Sequence, residues 1–68
     1  MNEDTLNMEV RTFLKKVGVT SQREIEHAIL KAVEEGHLQG SEKINVKMTL
    51  EVPEIGLNKT INGVIALE

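Results

Sequence analysis

The side chains able to do chemistry are few, and they cluster in the first half of the chain. Thr20, Ser21 and Arg23 bring two hydroxyls and a guanidinium to one short segment. If a helix begins at Ser21, its free amides join them to form an anion-binding corner. Plain helix capping accounts for the same residues, and no glycine-rich loop precedes them to admit a phosphate. Gln22, Arg23 and His27 are types that contact bases and phosphates, so a helix led by Ser21, Gln22, Arg23 and His27 could enter a DNA groove. Glu24, Glu26, Glu34 and Glu35 share that segment, and their charge opposes phosphate. His27 and His37 could act as general bases, yet neither has the neighbouring carboxylate, serine or glycine pattern that marks a catalytic set. Ten residues separate them, nearly three turns of helix, so one metal ion does not bridge both. The expectation is no catalytic residue, no metal and no cofactor.

Composition narrows the classes further. Eight basic and eleven acidic residues give a net charge of −3. It is spread evenly, with 5 − 7 = −2 over residues 1–36 and 3 − 4 = −1 over residues 37–68. Neither a basic patch nor a stacking platform is present, since Phe13 is the sole aromatic, and this argues against nucleic acid as partner. The opening Met1, Asn2, Glu3 and Asp4 lack the basic and apolar regions of a secretory leader, Cys is absent, and no apolar run approaches membrane-spanning length. A cytoplasmic location without a membrane is therefore expected.

The elements that would position these residues follow from periodicity. Leu6, Val10, Phe13, Leu14 and Val17 form one helical stripe over residues 5–17. Asp4 or Thr5 would cap its start, and Gly18 would close it in a left-handed conformation. Ser21 and Glu24 have the form of a capping box, so a second helix is predicted over 21–35, with Ile25, Ala28, Ile29, Ala32 and Val33 as its apolar face and Gly36 as its stop. The period then changes to two. Ile44, Val46, Met48, Leu50 and Val52 alternate with polar residues over 43–52, and Leu57, Ile61, Gly63, Ile65 and Leu67 do so over 57–67. Pro53-Glu54-Ile55-Gly56 reads as the turn between them. Pairing Val52 with Leu57 sets Met48 opposite Ile61, Val46 opposite Gly63, and Ile44 opposite Ile65, leaving Lys59 against Leu50. Asn62-Gly63 could instead fold 57–68 into two short strands. The continuous alternation favours one strand with a bulge at Gly63.

The expected architecture is a single two-layer α+β domain of order ααββ, a helix hairpin followed by an antiparallel β-hairpin, with Phe13 buried at its centre. The αα joint at Gly18-Val19-Thr20 also has the length of a helix-turn-helix turn, for which the β-hairpin would be a wing.

The chain resembles a family of short uncharacterised bacterial proteins that constitute a domain of unknown function. The resemblance spans nearly the whole length and rests on MNEDTLNMEV at the start, FLKKVGVTSQREIE across the helix joint, and GL followed by INGVIALE at the end. It implies a fold and carries no activity, cofactor or catalytic residue.

Two functions remain. The first is a small non-catalytic protein-interaction or regulatory module with an unidentified protein partner, and the second is winged helix-turn-helix DNA binding. A chain of this length buries only about 60% of its unfolded surface and lacks disulfides and metals, so self-association is a further expectation. The second strand would be the pairing edge of a homodimer, through Leu57, Lys59, Ile61, Val64, Ile65 and Ala66, because it has no proline and only Lys59 as a charge before Glu68. In a monomer, residues 39–43 or the N-terminus would cover that edge.

Overall fold

A computed structural model describes all 68 residues. The elements are one helix, α1 (Glu3–Glu34), then β1 (Lys43–Val52), a single 3-10 turn (Pro53–Ile55) and β2 (Leu57–Ala66). The chain divides into two compact units, Met1–His37 and Leu38–Glu68. The architecture is thus α+β, with one helix where the sequence suggests a pair.

The first unit is α1 with its caps. Asn2, and not Asp4 or Thr5, is the N-cap: its extended backbone turns the chain and its side-chain Oδ1 accepts the Thr5 N–H at 3.0 Å. Glu3 and Asp4 fill the first turn, where the helix dipole favours negative charge. Residues 18–20 are helical, which removes both the expected stop at Gly18 and the capping role of Ser21 and Glu24. The reason is backbone hydrogen bonding. Ending one helix and starting another within three residues leaves about eight amides and carbonyls without helical partners, whereas a glycine inside a helix costs about 1 kcal/mol relative to alanine. The apolar phase also runs on across the joint, through Leu14, Val17, Ser21, Ile25 and Ala28 at intervals of three and four.

Gly36 is the stop that the sequence correctly marks. Its φ is +80°, and it permits a complete Schellman closure in which the His37 N–H donates to the Ala32 carbonyl at 2.8 Å and the Gly36 N–H to Val33 at 3.1 Å.

The second unit is the β-hairpin. Its register is the expected one, with Val52 opposite Leu57, Met48 opposite Ile61, Val46 opposite Gly63, Ile44 opposite Ile65 and Leu50 opposite Lys59. The turn closes through Gly56, at φ +66°, whose N–H donates to the Pro53 carbonyl at 3.1 Å. β2 passes straight through Asn62-Gly63. The expected bulge is absent, because every residue from Lys43 to Val52 pairs one for one. Gly63 sits opposite Val46, where a Cβ would lie 3.4 Å from Val46 Cγ2, in van der Waals contact.

Neither unit contains a buried side chain. This corrects the expected core. Phe13 is 55% exposed, because the second helix of the expected pair is the continuation of its own helix and so cannot cover it.

Candidate functional site

Along α1, Leu6, Val10, Phe13, Leu14, Val17, Ile25, Ala28, Ile29 and Ala32 follow the helical period and form one stripe, interrupted by the polar Ser21 between Val17 and Ile25. Its N-terminal part is the more open. Leu6, Val10, Leu14 and Phe13 are 44–55% exposed, whereas Val17, Ser21, Ile25, Ile29, Ala32 and Val33 have intermediate exposure. The first half carries only leucine, phenylalanine and valine, whereas the second mixes Ile25, Ile29 and Val33 with the smaller Ser21, Ala28 and Ala32. Charge is unevenly spread along the helix, with Arg23 between a basic and an acidic run. Arg11, Lys15 and Lys16 give +3 over residues 11–16, and Glu24 and Glu26 give −2 over residues 24–29.

The polar residues singled out by sequence separate on the folded helix. Gln22, Arg23 and His27 come together on one exposed face, where they border a shallow surface groove with Val19, Glu26 and Leu30. Ser21 is not among them, since it lies on the apolar stripe. All four are in the middle of α1, where main-chain amides are engaged in helical hydrogen bonds, so the anion corner of free amides does not form. With one continuous helix there is no helix-turn-helix joint and no recognition helix for the hairpin to flank. The geometry that motivated winged helix-turn-helix DNA binding is thereby removed.

His37 lies past the helix end with its Nε2 3.8 Å from a Glu35 carboxylate oxygen, both side chains being well exposed. A surface pair of this length contributes little. No three His, Asp or Glu side chains converge in a metal-binding geometry.

In the hairpin, alternation sends Ile44, Val46, Met48, Leu50, Val52, Leu57, Ile61 and Ile65 to one face, together with Lys59. The sheet has two strands only, so its own unit places no second layer on that face. Met48, Leu57 and Ile61 are exposed there. The residues expected to form a pairing edge divide between faces: Leu57, Lys59, Ile61 and Ile65 are on the apolar side, and Val64 and Ala66 on the other. The outer edge of β2 has no strand beside it.

One well-formed polar feature is absent from the sequence reading. The Glu42 carboxylate accepts three successive main-chain N–H groups, from Gln39 at 2.8 Å, Gly40 at 2.9 Å and Ser41 at 3.1 Å. Gly40, at φ +95°, lets the amides turn inward to a common point. The Gln39 N–H above all, and the other amides with it, hold the Glu42 carboxyl below the usual glutamate range against a smaller opposing effect of desolvation. A glycine two residues before a glutamate at the end of a polar run was the available signal. The loop binds its own carboxylate, and its role is to order the chain ahead of β1.

No helix of the chain is long and apolar enough to cross a membrane. No curated protein and no solved structure matches the chain. A family model matches residues 1–68, the whole length, and on that match the chain belongs to a family of unknown function, DUF6494.

Proposed function

We propose that this chain is a small non-catalytic interaction module that works by docking its apolar helix face on another polypeptide, in the cytoplasm and without a membrane or nucleic acid. The observation that carries the reading is the α1 stripe. Leu6, Val10, Phe13 and Leu14 stand on one face of a well-capped helix with about half of each residue in water. Burying the exposed half of such a side chain contributes about 1 kcal/mol, so four together supply a useful docking energy. The pattern i, i+4, i+7 and i+8 is that of anchors laid into a groove or against another helix. Charges lie beside the stripe and not within its first half, which keeps the anchors free of desolvation cost.

The test is capture from native cell extract by the tagged chain, compared with a Val10→Lys/Phe13→Lys variant whose far-UV circular dichroism retains the α1 signal. The expected result is a specific polypeptide held by the wild type and lost by the variant. The same polypeptides held by both would refute the reading.

A further inference from the structure

Resting on that docking reading, we propose that the polypeptide received by the α1 stripe is a second copy of this chain, packed antiparallel so that the bulky first half of each helix meets the second half of the other, where Ser21, Ala28 and Ala32 leave room. The midpoint of Glu3–Glu34 falls between Gly18 and Val19. A two-fold axis close to that midpoint, level with Val19, brings together stripe residues whose numbers sum to about 38, the geometry of an isologous contact. Leu6 then meets Ala32 of the second copy, Val10 meets Ala28, Leu14 faces Ile25, and Val17 faces Ser21. Leu6 with Ala32, Val10 with Ala28 and Val17 with Ser21 each set a larger side chain against a smaller one, and the layer of Leu14 with Ile25 is the thickest. A parallel pair in register would stack Phe13 on Phe13 and Ala28 on Ala28, too thick at one end and too thin at the other.

Charge selects the same direction. Antiparallel packing matches charges that flank the stripe, Lys16 and Glu24 among them, while Arg11, Lys15 and Glu26 face away from the contact. On one flank it brings Lys16 toward Glu24 and Glu9 toward Lys31, each twice by symmetry. Parallel packing forms neither pair, since it sets each flank of one stripe against the opposite flank of the second copy.

The area suffices. A helix of 32 residues is about 48 Å long. The four half-exposed anchors offer roughly 350–400 Å² per copy, and Val17, Ile25, Ile29 and the aliphatic stems of Lys16 and Glu24 raise the two-copy total to about 1,200 Å², the lower bound of a stable interface.

The sequence has no cysteine, so single substitutions report the geometry directly. Sedimentation equilibrium of the full chain at tens to hundreds of micromolar should give twice the chain mass, and Val10→Lys/Phe13→Lys should return it to one. Under mild oxidation, Leu6→Cys chains mixed with Ala32→Cys chains should form a disulfide-linked pair, while Leu6→Cys chains alone should link no more than an exposed Asn62→Cys control. A strictly monomeric mass, or self-linking of Leu6→Cys equal to the mixture, overturns the proposal. So does a dimer that survives Val10→Lys/Phe13→Lys and dissociates with Val64→Lys, which would place the contact on the β2 edge. A monomer whose captured partner is still lost on lysine substitution overturns the second copy alone. Lysine substitution without effect on either mass or capture overturns the docking reading as well.

Discussion

Replacing Gly18 with alanine should stabilise the protein, and the sign of that change separates one helix from two. Gly18 is in the interior of α1, where glycine carries more unfolded-state entropy than alanine and costs about 0.5–1 kcal/mol. A Cβ at this position would meet nothing within 4 Å, so no steric cost offsets the gain. For a domain of this size about 1 kcal/mol corresponds to roughly 4–8 °C in Tm, and a rise of about 2–8 °C is expected. Gly36 supplies the internal control. Its φ of +80° closes the Schellman end, a conformation that alanine adopts only with strain, so Gly36→Ala should lower Tm by an amount equal to or greater than the Gly18 gain. The assay is thermal unfolding followed at 222 nm at one fixed protein concentration, since association shifts apparent stability. A Gly18→Ala variant that melts several degrees below wild type would refute the reasoning, because it would mean that Gly18 is itself a left-handed helix terminus.

Two further outcomes follow from the caps. Asn2→Ala leaves the Thr5 N–H without its side-chain acceptor and should cost about 0.5–2 kcal/mol of helix stability, with faster amide exchange confined to the first turn of α1 by NMR. Glu42 has a depressed pKa in the folded chain, so across that interval the unfolded state binds more protons and stability rises with pH. Its contribution is fully present above the unfolded glutamate pKa and is lost as pH falls through the folded value. Glu42→Gln should flatten this acid limb in the hairpin's melting profile, and an unchanged limb would show that the carboxylate does not grip the loop in solution.

The hairpin was legible because three independent signals agree there. The alternation of Ile44 to Val52, the Pro53 to Gly56 turn and the alternation of Leu57 to Leu67 favour one register, since a slip of one residue would send the whole apolar set to the wrong face. Asn62-Gly63 carries a local turn signal that the straight β2 does not use. The helix joint was misread because two local signals imitate punctuation. Gly18 looks like a stop and Ser21 with Glu24 looks like a start, but both are local preferences of about 1 kcal/mol. The unbroken phase from Leu14 to Ala28 was the stronger signal, since it reflects every turn of the helix at once. The error carried into the functional residues. Ser21, Gln22, Arg23 and His27 seemed to share a helix start only while a start existed at Ser21. The stripe itself was visible in the sequence, and its openness was not, because exposure depends on what the chain places against a face.

The simple topology of the two units, one helix and one hairpin, has a kinetic consequence. An α-helix joins residues four apart, and a hairpin closed by Pro53–Ile55 zips from its turn outward, so neither requires a long search through chain conformations. Their formation belongs to the microsecond range. A slower refolding phase whose rate grows with protein concentration then reports the meeting of chains, and its concentration dependence separates it from isomerisation of the Val52-Pro53 bond, the slow intrachain step this sequence does contain.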